Sequence, residues 1–154
     1  MDYQALKDEI QNDPEALGYA QHLPGDHVTV AELLNGDDPT GETYYEDVPA
    51  EKAARIAVEV GCYADIADDA EDPDSGTQDI SMATIDTFRK SNGTFAMRLP
   101  SLRESLTALV DSGVLTQEQE QAFLDASLRP ARRAEVVLGR GVTVTSQNVT
   151  KALQ

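Results

Sequence analysis

The residue types that could bind a metal or act as a nucleophile are few in this chain. His22 and His27 are the only histidines, and Cys62 is the only cysteine. A structural zinc site takes about four nitrogen or sulfur ligands at close spacing, and this set does not supply them. A single cysteine on an apolar helical stripe is typical of a small buried hydrophobe. We therefore expect neither a zinc site nor thiol catalysis.

The polar stretch at residues 71–79 has alternating acids that resemble the start of a calcium-binding loop. If Asp72 were the first ligand, the position that requires glycine would hold Thr77, and the position of the bidentate acid would hold Ala83. The stretch therefore predicts an exposed loop or internal linker and no calcium site.

Catalytic signatures are also missing from the sequence. No Gly-x-Ser-x-Gly elbow occurs, and the run Gly139-Arg140-Gly141 lacks the Lys-Ser/Thr pair of a phosphate-binding loop. Carboxylates are so abundant that no chosen pair indicates glycosidase-like chemistry. We predict that the protein is not an enzyme and uses no cofactor or metal. A small enzyme with acids of shifted pKa in a ligand-filled pocket is a third hypothesis.

A basic segment closes an otherwise acidic chain whose formal net charge is −16. Three of its arginines, at residues 129–133, crowd the start of a predicted helix, where the helix dipole disfavours positive charge. We therefore expect them to face carboxylates, which match the guanidinium fork. Those carboxylates could belong to the first half of this chain or to a neighbouring copy; the alternative is a set of solvated surface charges. The candidate interface residues are Arg129, Arg132, Arg133 and Arg140.

The charge differs between the two halves of the sequence. Residues 1–80 hold 21 acidic and 3 basic residues, a net of −18, and residues 81–154 hold 7 and 9, a net of +2. Phosphate repels the first half, and the basic tail lacks nearby aromatic residues for base stacking, so we expect no direct binding to nucleic acid. The acidic half predicts a surface that mimics nucleic acid or meets a basic partner, or simply a solvated surface.

Short helices are predicted to position these residues. Apolar residues recur at spacings of three and four between clear start and stop signals, and capping boxes are predicted at Thr29 with Glu32, Ser101 with Glu104, and Thr116 with Gln119. The final part is ambiguous: a helix over residues 130–138, or a β-hairpin around residues 139–141. The predicted helical segments are residues 2–12, 13–22, 28–36, 48–72 with a break at Gly61 or a run through Ile66, 80–93, 100–114, 115–128 and 145–153.

The predicted fold is mainly α, with about six to eight short helices and the small C-terminal β-hairpin as an alternative feature. Aromatic residues are only 5% of the chain, which predicts an aliphatic core. We expect an acidic N-terminal helical half (residues 1–70), an acidic loop or linker (71–79) and a C-terminal helical half with the basic tail (80–154), packed as one domain. No apolar run approaches the roughly 20 residues of a membrane span, and the single cysteine fits a reducing, cytosolic origin.

Four segments resemble a family of small proteins of tailed bacteriophages and prophages. They are "LKDEIQNDPEALGYAQH", "VAELLN", "LVDSGVLTQEQEQAFLDASL" and "RRAEVVLGRGVTVTSQNVTKAL". The likeness covers both ends and leaves residues 37–95 poorly matched. Its motifs are helix starts and stops, so it supplies no active-site residues. Arg132 departs from the pattern, because a small capping residue is expected there.

The resemblance implies a virion protein that is made in the cytoplasm of the bacterial host. We expect a structural component of a tailed phage particle, at the neck or head-tail connector as a head completion or adaptor protein. Its partners would be portal, capsid or tail components and further copies of itself in a ring, with no membrane. An acidic half and a basic tail would give the polarity that head-to-tail ring contacts need. The alternative is an acidic inhibitor that mimics DNA and blocks a host DNA-binding protein.

Overall fold

The computed structural model describes all 154 residues and confirms the mainly α fold class. It has nine α-helices rather than six to eight, because the predicted segment 48–72 is two helices separated at Gly61, whose φ is +78°. The helices are α1 (Tyr3–Asn12), α2 (His27–Asn35), α3 (Ala50–Glu59), α4 (Tyr63–Glu71), α5 (Gln78–Phe88), α6 (Pro100–Asp111), α7 (Gln117–Ser127), α8 (Arg133–Leu138) and α9 (Ser146–Ala152), with one 3₁₀ turn at Tyr19–Gln21.

The chain packs as two compact units that differ from the predicted halves. Unit 1 combines Met1–Thr43 with Pro130–Gln154, and unit 2 is Tyr44–Arg129. The predicted linker at residues 71–79 is not a boundary, because it joins α4 to α5, which pack closely against each other inside unit 2. The sequence halves 1–70 and 80–154 therefore do not correspond to structural units.

Unit 1 is built from both ends of the chain. Helices α1 and α2 pack against α8 and α9. Helix α1 begins where the Asp2 carboxylate accepts hydrogen bonds from the backbone N–H groups of Gln4 and Ala5, which are otherwise unpaired at a helix start. The core consists of apolar side chains from all four helices and from the loops beside them: Leu6, Ile10, Tyr19, Val30, Ala31, Leu34, Ala134, Val144, Val149 and Ala152.

The predicted second helix, residues 13–22, is wrong. The Asp13 carboxylate accepts hydrogen bonds from the backbone N–H groups of Leu17 and Gly18, each at 2.7 Å. These bonds hold a compact loop in place of a helical turn, since a local side chain competes with helical hydrogen bonding. Only the short 3₁₀ turn that follows Gly18 is helical in this segment.

Unit 2 contains α3 to α7 around one core. Four aromatic rings meet there, with centroid separations of 5.6–6.3 Å: Tyr63, Phe88, Phe95 and Phe123. The expected all-aliphatic core is therefore wrong for this unit, because all three phenylalanines of the chain gather in it. Low aromatic content across a whole sequence does not prevent those few residues from sharing one site.

Four short strands form two two-stranded sheets. Strand β1 (Thr43–Tyr45) pairs with β4 (Leu128–Pro130), and β2 (Val48–Pro49) pairs with β3 (Thr94–Phe95) in antiparallel register, with Val48 opposite Phe95. Gly93 precedes β3 at a close approach: a Cβ atom there would lie 2.8 Å from the Cβ of Lys90 and 3.1 Å from that of Ala50.

The C-terminal ambiguity resolves in favour of the helix. Helix α8 ends at Gly139, whose φ of +105° suits glycine, and the alternative β-hairpin around residues 139–141 is absent. The helix starts at Arg133 and not at Pro130, because Pro130 belongs to β4. Helix α9 follows, and the Thr145 hydroxyl accepts from the Asn148 N–H at its start.

Candidate interface residues

Arg133, the first residue of α8, lies in the interior of unit 1. Only 6% of it is exposed. Its Nε and Nη2 atoms donate to the two carboxylate oxygens of Glu9 in α1, each at 2.8 Å, and its Nη1 atom donates to Oδ1 of Asp38 at 3.0 Å. The pairing with Glu9 is the bidentate fork that guanidinium and carboxylate form best. Three distant positions of the sequence are thus joined by one side chain.

The remaining polar atoms around this ion pair also have partners. The Tyr19 hydroxyl donates to Oε1 of Glu9 at 3.2 Å, and the Asp38 carboxylate accepts from the N–H and the hydroxyl of Thr40. Desolvating charges is costly unless each is paired and hydrogen-bonded. Because these groups hydrogen-bond one another, the cost of burying their charges inside the unit is offset. We call Glu9, Tyr19, Asp38 and Arg133 the buried ion network.

The pKa shifts of the network agree with this geometry. The hydrogen bonds to Glu9 raise the pKa of Arg133 above its usual value. Burial pushes the pKa of Asp38 upward, but the hydrogen bonds from Thr40 and Arg133 outweigh it, so that pKa lies below its usual value. Burial and the neighbouring Glu9 raise the pKa of Tyr19, which therefore remains a proton donor. Arg133, Asp38 and Tyr19 therefore keep the protonation states that their hydrogen bonds require.

Arg133, a candidate interface residue, is buried and paired within unit 1. The expected carboxylate partners exist, but they belong to the first half of this chain, which decides the alternative that the sequence left open. One sequence signal was available: Leu6, Glu9 and Ile10 are buried on one face of α1, and an acid on an apolar stripe needs a buried cation. Asp38 lies in a loop and carries no comparable signal.

Arg132 stands where a small capping residue was expected, and a different side chain caps the helix. The Glu135 side chain is fully buried and accepts from the Arg132 N–H at 3.2 Å and from the Gly141 N–H at 2.8 Å. Arg132 Nε also donates to Glu135, and its Nη1 donates to the Thr143 hydroxyl. An arginine side chain has no acceptor atom and cannot cap the N-terminus of a helix. Glu135 satisfies the start of α8 instead.

The other candidate arginines have different surroundings. Arg129 lies in unit 2, where it forms an ion pair with Glu46 and lies over the Tyr44 ring at 5.8 Å from its centroid. Arg140 is an exposed residue of unit 1 in the turn between Gly139 and Gly141. Its role as an interface residue stays a prediction.

The difference in net charge between the two halves of the sequence does not appear between the two folded units. Unit 1 holds 11 acidic and 5 basic residues, a net of −6, and unit 2 holds 17 and 7, a net of −10. The basic tail folds beside the acidic first 43 residues, and Arg132 and Arg133 are neutralised there. The chain therefore does not present an acidic end and a basic end.

Unpaired acids are instead concentrated on α4, on α5 and in the loop between them. No ion pair involves any of these exposed carboxylates. We call this set the acidic face; it consists of Asp65, Asp68, Glu71, Asp72, Asp74, Asp79 and Asp86. Acids near the C-terminal end of α4 oppose the helix dipole, and acids three or four residues apart repel one another. A cationic group bound there would relieve both effects.

Asp69 differs from its acidic neighbours because it points into unit 2. Its carboxylate accepts from the hydroxyls of Ser75 and Ser81, each at 2.5 Å, and of Thr77 at 3.1 Å. Burial raises the pKa of Asp69, but these three hydrogen bonds outweigh it and lower the pKa below its usual value. The predicted acidic loop is thus fastened to α4 and α5 by one side chain.

His27 and Cys62 have structural roles in the fold. Nδ1 of His27 hydrogen-bonds the Thr150 hydroxyl at 2.8 Å, which ties α2 to α9. Cys62 is buried as predicted, and burial raises the pKa of its thiol to about 11. No group of three or more His, Cys, Asp or Glu side chains is placed to hold a metal ion. None of the helices has the length and hydropathy that a membrane span requires.

Comparisons with known proteins give this chain no relative. No protein-family model, curated protein or solved structure matches it.

Proposed function

We propose that the protein is a structural component of a tailed-bacteriophage particle, located at the neck or head-to-tail junction. It acts there by protein–protein assembly, as a head completion or adaptor protein, and contacts portal, capsid or tail components. The protein is made in the host cytoplasm and becomes part of the virion.

The observation that supports this proposal is where the resembling segments lie. Three of the four segments, residues 6–22, 30–35 and 132–153, build the single core of unit 1. The poorly matched residues 37–95 lie almost wholly in unit 2. The fourth segment, residues 109–128, lies in unit 2. Most of the resemblance thus falls on one packed unit with its own interior, which favours a shared structural element over a chance likeness of scattered helix ends.

We also propose that several copies form a ring, but the charge argument from the sequence no longer supports this part. Opposite charge at the two chain ends does not support the ring, because Arg133 forms its ion pairs with Glu9 and Asp38 inside unit 1. The ring is tested separately by light scattering across a salt series. A chain that is monomeric at high concentration in both low and high salt contradicts a self-assembled ring, although it leaves docking onto another virion protein intact.

The direct test of the function is localisation in purified particles. Particles of the phage or prophage that encodes this chain are separated from free protein by gradient sedimentation and analysed by mass spectrometry and electron microscopy. We expect the chain in the particles, with density at the neck that disappears from particles of a deletion strain. Complete, infectious particles that lack the chain would overturn the proposal.

The acidic face favours a second candidate, an acidic inhibitor that mimics DNA and blocks a host DNA-binding protein. Ordered carboxylates on a helical surface can occupy a basic nucleic-acid site. This candidate predicts a complex with a DNA-binding protein that competes with duplex DNA and dissociates as salt rises. A partner that binds the chain and DNA simultaneously would contradict it.

A further inference from the structure

A groove runs between α4 and α5 on the surface of unit 2. Its apolar lining consists of Ala67 and Ala70 from α4 and Met82 and Ile85 from α5, and its volume is about 170 Å³. A cavity of roughly 150 Å³ lined by apolar side chains can hold a benzene molecule. The groove therefore has room for one aliphatic side chain of a partner.

Met82 is the most informative residue of this groove. Its side chain is 48% exposed although α5 offers a buried face. Asp79, Met82 and Asp86 follow one another at spacings of three and four, so they form one stripe along α5. An exposed methionine between two exposed acids gives an adaptable apolar contact with charges on either side.

The charged residues at the groove determine whether a positively or negatively charged partner binds there. Glu71 and Asp86 line it, and neither forms an ion pair within the protein. The rest of the acidic face continues the negative surface along α4 and the following loop. Arg89 is the one cation among the lining residues, at the C-terminal end of α5. Lysine or arginine of a partner is therefore favoured along most of the groove and repelled beside Arg89.

We propose that this groove binds a cationic amphipathic helix of a partner protein. One aliphatic side chain of that helix packs against Met82 between the two helices, and flanking lysines or arginines pair with Glu71, Asp79 and Asp86. Arg89 fixes the direction, because it meets the carbonyl end of the bound helix, which carries partial negative charge. Apolar anchoring plus complementary charge is the usual basis of helix-in-groove recognition.

This inference names the partner chemistry for the proposed assembly role and rests on that role for its biological meaning. It also differs from DNA mimicry in a measurable way. A mimic binds through charge alone, so salt removes its affinity. A helix anchored on Met82 loses only the charge-dependent part, because burial of apolar surface persists at high salt.

The test uses the full-length protein and a synthetic helical peptide as the probe. The peptide, on the order of 15 residues so that it can form a helix, carries leucines on one stripe flanked by lysines, with a glutamate at its C-terminal end. A control peptide has the same composition with leucines and lysines spread around the helix. Binding is followed by amide chemical shifts at low and high salt.

Two matched triple variants make the result specific. The first is Glu71→Gln, Met82→Ala, Asp86→Asn; the control is Leu99→Ala, Glu104→Gln, Asp111→Asn. The control removes an equally exposed apolar residue, since Leu99 is 49% exposed, and two exposed acids of the same unit. Retained amide dispersion establishes that both variants are folded.

We expect shifts confined to α4 and α5, and affinity that falls at least about tenfold with the groove variant or the control peptide. Scattered shifts, equal affinity of the two peptides, or equal loss in both variants would overturn the proposal. Binding that salt abolishes completely would also overturn it, in favour of a charge-only surface. Failure here with the chain present in phage particles removes only the groove; peptide binding with the chain absent from particles removes only the phage role.

Discussion

The two units solve the problem of a small interior in different ways. Unit 1 joins segments that are nearly 90 residues apart in sequence, and directed polar bonds link them: Arg133 with Glu9 and Asp38, Asn35 with Val144, and His27 with Thr150. Unit 2 is continuous in sequence and packs four aromatic rings. In unit 1, hydrogen bonds and ion pairs between specific side chains add to the apolar core and link the two ends of the chain. In unit 2, the interior is held mainly by apolar and aromatic packing.

Each kind of interior has its own sensitivity to substitution. Apolar burial is non-directional and roughly proportional to area, so its loss scales with the atoms removed. A buried ion network depends on every member, because removal of one partner leaves the others charged and desolvated. The predictions below use amide hydrogen exchange, which reports the opening free energy of each unit separately.

The largest effect on unit 2 is expected from Phe123→Ala. Phe123 is 1% exposed and contacts both Phe88 and Phe95. Replacing a buried phenylalanine by alanine costs about 3–5 kcal/mol, since the cavity adds to the lost apolar transfer. Exchange of the core amides of α5 and α7 should speed up accordingly. Leu99→Ala, at an exposed site, is the control, and a loss below about 1 kcal/mol for Phe123→Ala would mean that the rings are not the centre of this unit.

A smaller effect on unit 1 is expected from Asn35→Ala. The Asn35 side chain donates to the Val144 carbonyl at 2.7 Å and accepts from the Val144 N–H at 3.0 Å. Val144 is buried, so the substitution leaves two backbone groups without partners, at a cost of about 1–3 kcal/mol. Exchange at α2 and α9 measures it. Asn12→Ala, at an exposed helix end, is the matched control, and equal effects of the two would contradict a side-chain link between these segments.

The smallest effect appears only in acid. Asp38 in unit 1 and Asp69 in unit 2 both have a pKa below the usual value. A depressed folded pKa stabilises the protein above the unfolded value of about 3.9 and loses that contribution as pH falls through the folded pKa. Stability of both units should therefore decline as pH drops below about 4.

Two variants separate those contributions. Asp38→Asn should flatten the acid decline in unit 1 alone, and it should also lower the stability of that unit at neutral pH because Arg133 loses a charged partner. Asp69→Asn should flatten the acid decline in unit 2 alone. Carbon-detected titration of the two carboxyl groups supplies the pKa values directly. Either group titrating at or above the usual aspartate value would refute the hydrogen-bonding account of that carboxylate.

Local signals in the sequence predicted most of the helices but not all of their caps. The Thr116–Gln119 capping box is confirmed in both directions, at 3.2 and 2.8 Å. The Thr29–Glu32 box is wrong, because Asp26 accepts from the Thr29 N–H and starts α2 at His27. Ser101 is not a cap either, since α6 starts at Pro100, a residue suited to a first helical position.

Long-range pairing was beyond the reach of one sequence. The crowding of arginines at the start of α8 correctly indicated carboxylate partners, but nothing in the spacing of residues 9, 38 and 133 shows that they meet. The same limit explains why the predicted halves differ from the two units, because composition indicated a loop or linker at residues 71–79 but could not show that Asp69 holds it as a tight loop. The charge difference between the two halves of the sequence was also a poor guide to the folded surface. In the fold, the basic tail packs in the same unit as the acidic N-terminal residues, and Arg133 pairs with Glu9 and Asp38.

Arg133 pairs with Glu9 and Asp38 inside unit 1 and stabilises that unit. The substitution Arg133→Met tests this central claim most directly. Arg55→Met is the matched control, because Arg55 forms an exposed pair with Glu59 at 3.7 Å, and such pairs contribute about 0–1 kcal/mol. Hydrogen exchange at α1 and α8 should show that Arg133→Met lowers the opening free energy of unit 1 by about 3–5 kcal/mol, and exchange at α3 measures the effect of Arg55→Met on unit 2. A loss no larger than that of the control would contradict the claim and return Arg133 to the surface as a contact for another molecule.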